Sequence, residues 1–247
     1  MFQYFDRIRE ILDIVEQEEK TNIQTAVEKI SEAIINKRSI FAFGASHAGI
    51  LTQELFYRAG GLININPIFA RELMLDTEPV THTSRMERLI GYGTVLAEKT
   101  PFSEGDVLII HSVSGRNPVA IDLAFTARLK GVTIIAITNV TYSKSASSRH
   151  PLGKNLFEIS DIVIDNHGDI GDATCVIEGV PQKVAPSSTV IGATIVNTIV
   201  VEVVKRLAEQ GISPVPIFYS ANLDGGDELN KKLFEEYKET IHYRFDY

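Results

Sequence analysis

The segment His111-Ser112-Val113-Ser114-Gly115-Arg116-Asn117-Pro118 sets two hydroxyls and a glycine directly before a helix start. Asn117 is a good N-cap, and Pro118 suits the first helical position, where a missing N–H costs nothing. Gly115 lets the backbone fold tightly and turn its amides inward. Free amides at a helix N-terminus carry partial positive charge and bind phosphate. Ser112 and Ser114 add hydroxyl donors. Helix capping alone accounts for Asn117, but not for paired serines and a glycine at the C-terminal end of an apolar run. A second loop of similar make is Gly44-Ala45-Ser46-His47-Ala48-Gly49. It differs from the dinucleotide fingerprint Gly-x-Gly-x-x-Gly. Ser46 stands at the middle glycine, and the next apolar run carries Asn64 and Asn66 rather than an acid for a ribose. No nicotinamide or other cofactor is expected. Ser114 is not a hydrolase nucleophile either, because the elbow pattern needs a glycine where Ser112 stands.

Loops of this kind need a sheet to position them. Short apolar runs at 39–43, 62–65, 107–110, 132–137 and 162–164 read as strands. They alternate with helical patterns at 2–36, 47–59, 86–99, 119–130 and 188–209, and a charged helix is expected from 227 to about 240. That alternation predicts an α/β fold: a doubly wound, mostly parallel five-stranded sheet with helices on both faces, plus N- and C-terminal helices. The expected partition is an N-terminal helical segment (1–36), one binding domain (37–212) and a C-terminal extension (213–247). Ligands in such folds sit beyond the carboxyl ends of the strands, so the informative loops are 44–48, 111–117, 138–150 and 165–187.

The 247 residues balance 24 Lys+Arg against 32 Asp+Glu, a formal net charge of −8. That argues against unspecific binding to nucleic acid or to an anionic membrane, while leaving a local anion site open. The apolar stretch 190–204 is interrupted by Thr194, Asn197, Thr198 and Glu202, and reads as a buried helix rather than a membrane span. The N-terminus has no apolar core of a signal peptide. The single Cys175 fits a reducing, cytoplasmic setting.

At the two glycine–serine loops the chain resembles the SIS (sugar isomerase) domain family, whose phosphosugar loop has the form Ser-x-Ser-Gly-x-Thr. Here Ser112-Val113-Ser114-Gly115-Arg116-Asn117 matches, with Asn117 in place of the threonine. The resemblance spans roughly residues 30–210 and is nearest to single-domain, phosphoheptose-isomerase-like proteins, on segments such as Glu54–Gly61, Ser148-Arg149-His150 and Ser220–Asp227. It implies a flavodoxin-like fold and a phosphorylated sugar as ligand, bound by Ser46, Ser112, Ser114, Gly115, Asn117, Ser187, Ser188 and Thr189. It also implies a homodimer or homotetramer.

The family's enzymes mostly interconvert aldose and ketose phosphates, which needs a base beside a carbonyl and a second group for ring opening. Glu178, after an apolar run, is one candidate base, and a salt-bridged loop residue is the alternative. Glu87 is another, although an acid that opens a helix also stabilises its first turn. His47, at a helix N-terminus, and His150, in Ser148-Arg149-His150, are candidates for ring opening. His111 at a strand end is expected to be packed against the core. The cluster Asn166-His167-Gly168-Asp169-Ile170-Gly171-Asp172 fits no strong metal motif, and no metal is expected. Two functions stay open: a sugar-phosphate isomerase, and a non-catalytic phosphosugar sensor or partner protein.

Overall fold

A computed structural model describes residues 2–245. Helices α1 (Gln3–Glu18) and α2 (Lys20–Ile35) lead into β1 (Ile40–Gly44) and α3 (Gly49–Leu55). β2 (Ile65–Pro67), α4 (Thr81–Glu87) and α5 (Tyr92–Lys99) follow, then β3 (Val107–His111), α6 (Pro118–Leu129) and β4 (Thr133–Thr138). Next come α7 (Val140–Ser145), α8 (Leu156–Ile159), β5 (Ile162–Asp165), a hairpin of β6 (Ala173–Cys175) and β7 (Val184–Pro186), α9 (Ser188–Glu209) and α10 (Gly226–Tyr237).

β1 to β5 form one parallel sheet in the order β2-β1-β3-β4-β5, the flavodoxin-like order. Each inner strand is buried on both faces, as its unbroken apolar run requires. Alternate residues divide between two cores. Ile40, Ala42, Val107, Ile109, Ile135 and Ile137 face α1, α2, α3 and α9. Phe41, Phe43, Leu108, Ile110, Ile134 and Ala136 face α5, α6 and α8. Each fully buried aliphatic side chain contributes roughly 1.5–3 kcal/mol, so the central strand ends are held rigidly. Phe218 and Leu233 join Ile63 and Ile241 in a third, smaller cluster at the sheet edge.

Several elements differ from the sequence expectation: α3 is shorter than the 47–59 pattern, and a β6–β7 hairpin lies after β5. The helix expected over 86–99 begins only at Tyr92, as α5 with Gly91 at φ +86° for its N-cap, while α4 closes at Glu87 with Arg88 as its C-cap. The second strand lies at 65–67 rather than 62–65; Leu62 instead bridges to Ile217. The loop from 139 contains α7, whose N-cap Asn139 accepts a hydrogen bond from the Tyr142 amide at 2.7 Å. Glu87, expected to open a helix, is instead the last residue of α4.

Candidate functional site

The order of the strands reverses between β1 and β3, and Gly44 and His111 are register partners at their carboxyl ends. The loops that leave these two residues therefore diverge around a crevice, the usual ligand position in this architecture. The first loop is very tight. A Cβ on Gly44 would lie 2.3 Å from the Ala48 carbonyl oxygen, so only glycine permits the turn. Ser46 within it takes φ +52°, a strained value for a side chain with a Cβ.

The second loop is oriented by its carbonyls. Thr138 donates through Oγ1 to the carbonyls of Ser112 (2.6 Å) and Val113 (3.1 Å), and the Asn139 amide donates to Val113. The Leu156 amide donates to the Gly115 carbonyl and the Arg149 amide to that of Arg116. In a planar trans peptide the carbonyl and the following N–H point in opposite directions. The amides of Val113, Ser114, Arg116 and Asn117 are thereby turned away from β4 and α8. None of these four amides has an acceptor among the described residues. Gly115 makes the reversal at φ +60°, where an added Cβ would press on Ser143 and Thr138 at 3.1 and 3.2 Å.

α6 starts where expected, with Pro118 at its first position, but Asn117 does not cap it. Its side chain donates instead to Glu87 Oε2 at 2.7 Å and accepts from Arg149 Nη1 at 2.8 Å. The N-terminus of α6 is thus left open toward a cavity of about 210 Å³. Ser46, His47, Glu87, His111, Ser112, Ser114, Asn117, Val119, Ala120, Tyr142 and Asp172 are among its lining residues.

Glu87 and His111 are two of the ionisable residues lining this cavity. Ser46 Oγ donates to Glu87 Oε1 while Asn117 holds Oε2, so the carboxylate is fixed in position by the two loops. His111 is 2% exposed. Burial lowers its pKa, against smaller opposing effects of the Ala48 carbonyl and the Asp172 carboxylate. The Ala48 carbonyl can only accept, so the 3.1 Å contact to Nδ1 puts the ring proton there. Nε2 then bears the lone pair, and it is buried without a partner. This acceptor is not legible as functional in the sequence: a histidine at the end of an apolar strand looks like core, and Ala48 comes from a different loop.

Ser46, His47, Glu87, Ser112, Ser114 and Asn117 are brought together at the cavity, and Gly115 shapes its loop. The other candidates lie elsewhere. Glu178 is exposed in the turn between β6 and β7 and does not line the cavity. His150 donates through Nε2 to Asp122 Oδ1 at 2.8 Å and accepts from the Leu152 amide at Nδ1, with both side chains under 10% exposed. It fastens the 148–153 loop to α6. Glu54 pairs with Arg58 and accepts from Asn197.

Ser187 and Ser188 are buried at the start of α9, where the Asp172 carboxylate already fills the position in front of the helix. It accepts from the amides of Ser187 (3.2 Å) and Ser188 (2.8 Å) and from Ser188 Oγ (2.7 Å). Thr189 sits on the first turn behind them. Asp169 is tied to Arg7, Lys183 and Thr174. Burial pushes its carboxyl up, but these partners outweigh that and hold it below its ordinary value. His167 is bonded to Glu19 at 2.9 Å. Among the described residues no group of three or more His, Cys, Asp or Glu is placed to hold a metal, and no helix is long and apolar enough to cross a membrane.

Comparison with known proteins agrees with this fold. The SIS domain model matches residues 3–139. The chain is 52% identical over 241 residues to a UPF0309 protein of Shouchella clausii, covering 98% of each chain. It is 50% identical over 243 residues to a UPF0309 protein of Oceanobacillus iheyensis, again over 98% of each. Among solved structures, a phosphoheptose isomerase from Francisella tularensis superimposes with a TM-score of 0.52 at 14% identity, over 81% of this chain and 94% of that one. One from Neisseria gonorrhoeae gives 0.52 at 13% identity with the same coverage. The chain belongs to the SIS domain family.

Proposed function

We propose that this member of the SIS domain family binds a phosphorylated sugar at the crevice between β1 and β3 and interconverts its aldose and ketose forms. The observation that carries the reading is the open N-terminus of α6, with the amides of Val113, Ser114, Arg116 and Asn117 turned outward beside a carboxylate that two loops hold in place. A phosphoryl dianion complements those amides and the hydroxyls of Ser112 and Ser114. No lysine or arginine is needed to neutralise it inside the cavity, which keeps the desolvation cost low.

Glu87 is the base in this mechanism. Its carboxylate takes the proton from the carbon next to the sugar carbonyl, giving an enediol, and returns it to the neighbouring carbon. His111 Nε2 accepts the proton of the adjacent hydroxyl and passes it to the former carbonyl oxygen, so no net proton is gained or lost. Ser46 and Asn117 act on Glu87, fixing its position, rather than on the phosphoryl group. His47 lines the cavity and is exposed, and in this reading it serves ring opening. The α9 face carrying exposed Val190 and Val201 is available for self-association, and a homodimer or homotetramer is the expected state in a light-scattering measurement.

The test is a thermal-shift screen in which each sugar phosphate is paired with its unphosphorylated sugar, followed by turnover assays on the hits. Stabilisation confined to the phosphorylated member supports the anion site, because stabilisation follows the affinity of the native state. Conversion by the wild type but not by Glu87→Gln supports the isomerase. Tight binding of sugar phosphates with no turnover by the wild type leaves a phosphosugar sensor instead.

A further inference from the structure

We infer that the sugar phosphate bound here carries a second anionic group, received by Arg88, Arg116 and Arg149 at the rim of the cavity. The inference rests on the phosphosugar reading and extends it to the substrate class. Arg88 follows Glu87 at the end of α4, Arg116 precedes Asn117 in the serine loop, and Arg149 comes from the loop after α7. Glu87 and Asn117 both line the cavity. Arg149 Nη1 reaches Asn117 Oδ1 at 2.8 Å, and its amide donates to the Arg116 carbonyl at 2.9 Å.

The backbone of Arg149 is firmly set. The His150–Asp122 pair anchors the next residue, and Ser148 Oγ both donates to the Lys154 carbonyl and accepts from the His150 amide. A guanidinium carried on so well braced a loop costs little further ordering when it meets a ligand.

The three guanidiniums have no ion-pair partner among the described residues, although the chain as a whole has eight more acids than bases. Arg116 Nε is buried with no hydrogen-bond partner. Burial, then the like charges of Arg116 and Arg88, press the Arg149 pKa down against weaker support from Tyr142 and Glu87. Glu87 attracts Arg149 but forms no ion pair with any of the three, and its two oxygens accept from the neutral Ser46 and Asn117 side chains. Arg149 touches Asn117, Arg116 precedes Asn117 and Arg88 follows Glu87, and none of them is in an ion pair with a carboxylate; guanidiniums so placed match a planar oxyanion, which arginine binds through paired N–H donors. The phosphoryl group is already provided for by the amides deeper in the cavity. The second oxyanion is therefore a separate group on the same ligand, a carboxylate or a second phosphate.

Calorimetric titration with glucose 6-phosphate, 6-phosphogluconate and fructose 1,6-bisphosphate tests this. The expectation is that at least one of the two doubly anionic ligands binds about tenfold or more tightly than glucose 6-phosphate, and the one preferred tells carboxylate from phosphate. In Arg88→Gln and Arg149→Gln that preference shrinks to within about twofold, and each variant's thermal unfolding confirms that it is folded. Equal affinity of all three ligands for the wild type overturns the inference while leaving the phosphosugar reading intact. So does a preference that survives in the Arg88→Gln/Arg149→Gln double variant. A change of oligomeric state with unchanged affinities overturns it in favour of a subunit contact. Binding of none of the three removes both readings together.

Discussion

The starts of α6 and α9 are alike in sequence and opposite in state. Each helix follows a serine-bearing loop at the carboxyl side of the sheet. Before α9, the Asp172 carboxylate lies across the amides of Ser187 and Ser188 and accepts the Ser188 hydroxyl. Before α6 the natural cap, Asn117, is drawn off to Glu87 and Arg149, and the amides of Val113, Ser114, Arg116 and Asn117 are left to the cavity. A helix N-terminus attracts negative charge in either case. What separates a binding site from a closed joint is whether the fold supplies the anion itself.

The sharpest way to break this contrast is through the carboxylate beside the open terminus. Glu87→Gln removes the base but keeps a side chain of the same shape. It is expected to lower kcat with a sugar phosphate by about 10²–10⁴-fold, with the ligand Kd changed far less. Steady-state kinetics and calorimetry on the same preparation separate the two effects. A loss of binding as large as the loss of turnover would mean that Glu87 is a ligand contact and not a base.

Next in size is the closed terminus. Asp172→Ala strips the anion from α9 and leaves buried serine donors unpaired, at a cost of about 2–4 kcal/mol in denaturant unfolding. If the two helix starts differ only in that anion, added inorganic phosphate should restore part of the loss in the variant, beyond its effect on the wild type. No destabilisation would show that Asp172 is incidental to the helix.

Smaller effects belong to the serine loop. Ser112→Ala and Ser114→Ala should each weaken phosphosugar binding by about 1–2 kcal/mol, or five- to thirtyfold, and leave the unfolding midpoint nearly unchanged. The smallest concerns pH. His111 has a folded-state pKa below the ordinary 6.5 because it is buried. Between that lowered value and 6.5 the unfolded chain binds more protons than the folded one, so stability rises with pH through this window. It is complete above 6.5 and falls as the solution is made more acid. His242, also lowered by burial despite Asp106, contributes in the same direction. Unfolding measured from pH 5 to 8 should therefore show a shallower slope in His111→Asn than in the wild type.

Much of the architecture and half of the site are legible in the order of the residues. The runs at 39–43, 107–110, 132–137 and 162–164, which become β1, β3, β4 and β5, hold no charged residue and are polar only near their starts, at Ser39 and Thr133, which fits a sheet covered on both faces. Asn117-Pro118 marks the beginning of α6 to the residue, and Ser112, Ser114 and Gly115 mark its loop. What is not legible depends on neighbours distant in sequence. Asp172 reaches Ser188 across a hairpin, so the serines alone resemble ligand donors. The break between α4 and α5 spans residues 88–91 and ends in a positive φ at Gly91, in a stretch whose apolar spacing continues past it. Without that break Glu87 looks like an ordinary first-turn acid. His150 and Glu178 carry suitable groups, but packing sends one to Asp122 and the other to an exposed turn.

The central claim is that the outward amides of Val113, Ser114, Arg116 and Asn117 grip a phosphoryl group. Amide-resolved ¹⁵N NMR during titration with glucose 6-phosphate, and in parallel with glucose, observes those atoms themselves. The account predicts saturable shifts at Val113, Ser114, Arg116 and Asn117 with the phosphorylated sugar alone, while Ser187 and Ser188 stay in place. Shifts centred on Ser187 and Ser188, or an equal response to glucose, would contradict it.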